Sequence, residues 1–267
     1  MSEPSPLVQT MIRAARTAGD RLKQDFAEIA TLEIQHKNGP ADPFTIADVR
    51  AEQTVKAILS DAYPDYGFLG EEGGLIPGAD RSNTWICDPL DGTANFLSGL
   101  PIWAVNVALQ REGEIVAGVT YVPMLGELFR AETGQGAFLN DARIRVSGRR
   151  GLEQAVLAVG IPFMGKPRHA QFHAEMQRLT EKVAGVRRLG AGAVDMAYVA
   201  CGRFDAYWEQ SVSAWDMAAG AVIVREAGGV VTDTRGGDLD VMNGTVLAVT
   251  PQLQADLLRE LSPVDAG

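Results

Sequence analysis

The sequence predicts a layered α/β protein. Three observations carry that reading. The first 150 residues begin with two helical patterns and then turn to closely spaced antiparallel strand signals. From about Gly151 onward, short apolar strands alternate with helices. The chain has 267 residues, of which 46% are hydrophobic and 22% charged, enough to build a large core without any fibrous or disordered bias.

Residues 5–30 read as an amphipathic helix, because Leu7, Met11, Ala14, Ala18, Leu22 and Phe26 recur at helical spacing. Residues 37–43 are rich in turn formers. Thr45 and Asp48 then stand as cap and third-position acid of a second helix, whose buried side is expected at Val49, Val55, Ile58 and Leu59. Residues 61–67 form a loop, and Phe68-Leu69 lead into Gly70-Glu71-Glu72-Gly73-Gly74. Residues 75–84 read as a surface loop before the central apolar run Trp85-Ile86-Cys87. Strands are expected over 102–109, 115–122, 127–131 and 136–140. In the second half the expected strands are 155–160, 186–189, 204–209, 230–232 and 245–249. The expected helices are 169–183, a helix opened by Gly190-Ala191-Gly192-Ala193 and running to about 202, 215–227 and 251–261. Neither half shows an internal repeat. The chain is therefore expected to be one domain over 1–267, with an antiparallel-sheet half (1–150) and an α/β half (151–267).

The central run ends in Asp88-Pro89-Leu90-Asp91-Gly92-Thr93. Pro89 fixes its own φ between the two aspartates. Two carboxylates at a strand end, beside a turn with open N–H groups, suit a metal and a phosphate: oxygens hold hard cations, and turn amides or a helix start take the anion. Alone, D-x-x-D-G-T is better read as an Asx turn that closes a strand and caps backbone groups. Three further acidic stretches favour the metal reading. His169 and His173 lie four apart on a helix but lack a glutamate partner, and read as surface residues.

The net charge is −10 and no basic tract is present, so direct nucleic-acid binding is not expected. A bound divalent cation would reconcile an acidic chain with an anionic substrate. Cys87 and Cys201 lie far apart in apolar segments, as buried thiols in a reducing cytoplasm would. The N-terminus lacks a signal-peptide pattern, and no apolar run reaches membrane-spanning length.

Asp88–Thr93 resembles the D-P-[IL]-D-G-T signature of the inositol monophosphatase superfamily, which are magnesium-dependent, lithium-sensitive phosphomonoesterases. Trp215-Asp216-Met217-Ala218-Ala219-Gly220, continuing to Glu226-Ala227-Gly228-Gly229, is similar to its second signature, and Gly70-Glu71-Glu72 to its G-E-E element. Lys37, Asp42, Thr45 and Asp48 match a further pattern of a lysine followed by D-x-x-T-x-x-D. The motifs stand in family order from about Lys37 to the C-terminus.

The resemblance implies an αβαβα sandwich of the inositol monophosphatase and sugar phosphatase type, and a homodimer. It implies metal ligands Glu71, Asp88, the Leu90 carbonyl, Asp91 and Asp216. Glu72 and Lys37 are outer candidates. An all-oxygen set points to Mg²⁺, two or three ions per site, rather than zinc. Asp48, Glu71 and Thr93 are the expected catalytic residues, with Thr93 and Asp48 orienting water and taking its proton. Gly92 and Thr93 amides would hold the phosphate. Gly190, Gly192, Glu209 and Asp216 would face the alcohol part of the substrate. Ala191 replaces the hydroxyl residue of the family's G-[ST]-A turn, and Ser98-Gly99 replaces a commoner His-Gly pair. The implied reaction is hydrolysis of a small phosphate monoester, foremost myo-inositol monophosphate. Histidinol-phosphatase, nucleotide 3′-phosphatase and fructose 1,6-bisphosphatase are rivals within the superfamily. A binding role toward the transcription machinery, served by some bacterial relatives, is the rival of another class.

Overall fold

The computed structural model describes residues 3–32, 34–36, 43–242 and 244–262. Lys37 and Asp42 lie outside the described residues. Helix α1 (Pro6–Ala27) starts where the Ser5 hydroxyl accepts the Val8 N–H and Pro6 supplies a preset φ. A two-stranded ribbon, β1 (Ile34–His36) with β2 (Pro43–Thr45), leads into α2 (Ile46–Ala62). An eight-stranded sheet follows from β3 (Tyr66–Gly70), β4 (Gly74–Ile76), β5 (Asp80–Asp91), β6 (Ala104–Arg111), β7 (Glu114–Val122), β8 (Glu127–Glu132), β9 (Gly136–Leu139) and β10 (Ala142–Arg143), with the short helix α3 (Thr93–Leu97) after β5. Its order is β10-β9-β8-β7-β6-β5-β3-β4, antiparallel except where β3 runs parallel to β5.

The second half contributes β11 (Val156–Val159), α4 (His169–Thr180), β12 (Gly185–Arg187), α5 (Gly192–Ala200), β13 (Ala206–Glu209), α6 (Ala214–Glu226), β14 (Val230–Thr232), β15 (Val246–Val249) and α7 (Gln254–Leu261). Its five-stranded sheet has the order β12-β11-β13-β15-β14. Helices α1 and α2 cover one face of the large sheet, and α5 and α6 fill the space between the two sheets. Helices α4 and α7 cover the outer face of the small sheet. The layers therefore run αβαβα, as expected.

Period-two alternation sorts the strands between layers. Trp85, Cys87, Val105, Val107 and Leu109 face α1 and α2, while Ile86, Ala104 and Ala108 face α5 and α6. In the small sheet Leu157, Trp208 and Leu247 face outward, and Ala158, Tyr207 and Ala248 face α5 and α6. The side toward the central helices is rich in small residues, and the helices approach closely. A Cβ on Gly118 of β7 would stand 2.7 Å from the Ala219 carbonyl oxygen of α6.

Two expectations change. Residues 75–84 are not a surface loop: β4 takes 74–76, and β5 begins at Asp80. The polar start of β5 is a rim segment, where Asp80 accepts from Ser82 and Asn83 and the strand pairs Asn83 with Arg111. Leu75 is 64% exposed on the edge strand, so it carries no alternating pattern. The buried side of α2 consists of Ala47, Asp48, Ala51, Glu52, Val55 and Leu59, with Val49 and Ile58 only half-buried. Two carboxylates share the buried stripe because each has backbone or hydroxyl donors to satisfy it.

Candidate active site

The site begins with an irregularity in β5. In a regular strand, residues three apart point to opposite faces. Between Asp88 and Asp91 the ladder slips: Asp88 pairs with Asn106 and Asp91 with Ala104, leaving one extra residue on β5. This bulge brings both aspartates to the α5–α6 side. Pro89 sits inside it, beyond the last β3 pair at Gly70–Cys87, where its missing N–H costs no ladder bond. Leu90 turns the other way into the α1–α2 core.

Asp88 is almost fully buried, and its Oδ1 accepts the Leu90 N–H at 2.9 Å. Asp91 Oδ2 accepts the Ala193 N–H at the start of α5 at 2.8 Å. Asp216 is the third residue of α6 and closes a capping box, its Oδ2 accepting the Ser213 N–H at 2.8 Å. One oxygen from each of Asp88, Asp91 and Asp216 lies within 4.8 Å of the others, a grouping that could hold a metal ion. Burial pushes Asp88 well above the ordinary carboxylate range, helped by the charges of Glu71, Asp91 and Asp216. Burial and then Asp216 do the same to Asp91. Among the described residues neither Asp88 nor Asp91 forms an ion pair with a lysine or arginine. Such a cluster of converging carboxylate oxygens, buried or half-buried, fits a hard cation.

Glu71 follows β3, its N–H donating to the Cys87 carbonyl at 3.2 Å, and its charge acts on Asp88. Glu72 belongs to the same turn. Glu52 of α2 clamps that turn, taking the Glu72 N–H on Oε2 and the Gly73 N–H on Oε1, both at 2.8 Å. Sequence reasoning missed Glu52. Its signal was a glutamate four residues after Asp48 on one helical face.

Asp48 also closes a capping box, its Oδ2 accepting the Thr45 N–H and hydroxyl at 2.8 Å each. Its Oδ1 lies 3.2 Å from the Thr93 hydroxyl, which is also 3.0 Å from the Leu90 carbonyl. Burial raises the Asp48 pKa against these hydrogen bonds. Gly92 caps α3 at φ 92°, a conformation that favours glycine, and a Cβ there would stand 3.1 Å from both the Ala191 Cβ and the Ile102 carbonyl oxygen. Asn95, also unforeseen, ties α3 to the other half by donating to the carbonyls of Ile102 (2.7 Å) and Leu189 (2.8 Å).

A cleft beside the aspartates is lined by Asp91, Gly190, Gly192, Asp195, Glu209 and Asp216, with Ile161, Phe163 and Arg188 at its edges. Glu209 ends β13 and accepts the Tyr207 hydroxyl; burial pushes its pKa to about 7. Gly160 leaves the space the Glu209 carboxylate occupies. Thus Asp48, Glu71, Asp88, Leu90, Asp91, Gly92, Thr93, Gly190, Gly192, Glu209 and Asp216 come together around one end of β5. His169 is an exposed residue, its ring 3.2 Å from the carbonyl of Phe163 at the cleft's edge.

The model of the inositol monophosphatase family matches residues 3–265. The chain belongs to that family. It is 51% identical over 254 residues to an inositol-1-monophosphatase of Caulobacter vibrioides, covering 94% of this chain and 99% of that one. It is 40% identical to a Nus factor SuhB of Pseudomonas aeruginosa, covering 97% and 96%. The extragenic suppressor protein suhB of Bartonella henselae superposes with a TM-score of 0.94 at 45% identity, covering 97% and 99%. An IMPase from Thermotoga maritima gives 0.86 at 30%, covering 95% and 96%. Family membership makes the chain a phosphomonoesterase and agrees with a metal-dependent site.

Proposed function

We propose that the chain hydrolyses small phosphate monoesters, foremost myo-inositol monophosphate, using Mg²⁺. The observation that carries this reading is the convergence of Asp88, Asp91 and Asp216 beside a Thr93–Asp48 hydrogen bond. Asp88, Asp91, Asp216, Glu71 and the Leu90 carbonyl hold two or three ions in this reading. Bound there, Mg²⁺ supplies charge neutralisation for the phosphate and lowers the pKa of water. Glu72 and Lys37 play outer parts.

The chain's own residues do the rest. A threonine hydroxyl has one proton and two lone pairs. With its proton directed to Asp48 Oδ1, Thr93 Oγ1 presents a lone pair to an incoming water. As water attacks phosphorus, its proton passes to Thr93 and the Thr93 proton passes to Asp48. The raised pKa of Asp48 suits a proton acceptor better than an ordinary surface carboxylate. Gly92 and Thr93 amides, at the open start of α3, steady the phosphate. Gly190, Gly192, Glu209 and Asp216 face the alcohol. The chain acts in this reading as one catalytic unit over 1–267, as a lithium-sensitive cytoplasmic homodimer.

A panel of phosphomonoesters assayed with Mg²⁺, with excess EDTA as control, tests the reading. Phosphate release that survives EDTA, or none from any ester, overturns it. The relatives named Nus factor SuhB support a second reading, a binding role toward transcription proteins. A variant that loses phosphate release yet complements loss of such a relative in cells would favour it.

A further inference from the structure

We propose that Asp195 is a substrate-contacting specificity residue: with Glu209 it forms a two-carboxylate cradle that accepts hydroxyls of a polyol and so selects polyol phosphates over simple esters. This rests on the phosphatase reading and adds a residue that the family motifs above do not include.

Asp195 stands in the first turn of α5 and is 1% exposed. Among the described residues no hydrogen bond reaches its carboxylate, and Oδ1 is buried without a partner. Its neighbours satisfy their carboxylates: Asp91 takes the Ala193 N–H, and Glu209 takes the Tyr207 hydroxyl. A buried carboxylate oxygen without a donor is a standing cost, and a donor supplied in function is one reason a native fold keeps one. Asp195 borders the cleft that holds Glu209, and the charges of Asp91 and Glu209 act on it while Arg188 offsets them.

The cation grouping does not include Asp195, which leaves a hydroxyl or water as its donor. Gly192 keeps space open beside Tyr207 and Glu209. A Cβ there would stand 2.7 Å from the Tyr207 hydroxyl and 3.8 Å from Glu209 Oε2. Ala191 offers no hydroxyl of its own, so on this wall Asp195 and Glu209 add side-chain acceptors to that of Asp216. Two acceptors on neighbouring elements match an alcohol carrying several hydroxyls.

The test compares kcat/KM for inositol 1-phosphate and p-nitrophenyl phosphate, which has no hydroxyl, in the wild type, Asp195→Ala and Asp195→Asn. Hydrogen bonds to charged groups imply that Asp195→Ala lowers the inositol-to-nitrophenyl preference by roughly 10–100-fold, chiefly through KM. Asp195→Asn keeps an acceptor oxygen and should lose less. Removing an unpartnered buried carboxyl should also raise the Tm without substrate. An unchanged preference in both variants, with a lowered Tm, overturns the proposal and makes Asp195 a packing residue. Should the wild type hydrolyse neither ester, the phosphatase reading fails on its own. Calorimetric titration of myo-inositol with Mg²⁺ present then decides Asp195: binding lost in Asp195→Ala supports the cradle, and equal or absent binding in both proteins overturns it.

Discussion

The two walls of the site are built differently. On the β5 wall, Asp88, Leu90, Asp91, Gly92 and Thr93 fall within six residues around one bulge, with local bonds from Leu90 to Asp88 and from Thr93 to Leu90 and longer ones tying Asp91 to Ala193 and Thr93 to Asp48. On the opposite wall, Gly190, Gly192, Asp195, Glu209 and Asp216 come from the β12–α5 loop, α5, β13 and α6, joined by packing between helices and the small sheet. The first wall carries phosphate chemistry in a compact stretch of chain. The second wall, facing the alcohol, is assembled from separate elements. Chemistry common to many esters can sit in a rigid local motif. Selection among alcohols belongs to the wall assembled from separate elements.

The largest expected effect lies on the β5 wall. Asp91→Asn keeps the shape and the Ala193 bond but removes a charge from the cluster. Metal stabilisation of a phosphoryl transition state is worth several kcal/mol. Phosphate release should fall by at least ~10²-fold on every ester tested. A substrate-selective loss would erase the distinction between the walls.

Thr93→Ala should come next. It keeps the backbone N–H and removes the hydroxyl between water and Asp48. We expect kcat to fall ~10–100-fold with KM nearly unchanged, the pattern of an interaction made mainly in the transition state. A raised KM at constant kcat would make Thr93 a binding residue.

On the opposite wall, Glu209→Ala should act on preference. The ratio of kcat/KM for inositol 1-phosphate to that for p-nitrophenyl phosphate should shrink by roughly 10–100-fold. Equal losses on both substrates would move Glu209 into the chemistry.

The smallest effect is on stability. Asp88, Asp91 and Glu209 all have folded-state pKa values raised above their unfolded values. The native state therefore binds more protons than the unfolded chain across that window, and stability falls as pH rises through it. For Glu209 the fall runs from the ordinary carboxylate range to about pH 7. In EDTA the Tm should decline over this range. Saturating Mg²⁺ should restore several degrees, more at pH 7.5 than at pH 5.5. Differential scanning calorimetry at the two pH values checks this; a Tm in EDTA that rises with pH would contradict the buried-carboxylate picture.

The sequence by itself determined most of the elements and the β5 wall. Helical periodicity marked α1, apolar runs between turn residues marked β6 to β9, and Thr45 with Asp48 marked the start of α2, because these signals depend on residues a few positions apart. The motifs at Asp88–Thr93 and Trp215–Gly220 pointed to their own chemistry for the same reason. Tertiary structure alone decided that Asp88 and Asp91 share a face. Their odd spacing forbids it in a regular strand, and only pairing with β6 creates the bulge. It likewise decided that Glu52 clamps the Glu71–Gly73 turn, that Asn95 bridges the halves, and that Asp195 is buried without a donor beside Glu209. Each of these depends on which residues far apart in the chain meet in the packed protein. A glutamate, asparagine or aspartate read in sequence carries no record of the neighbours that long-range packing supplies.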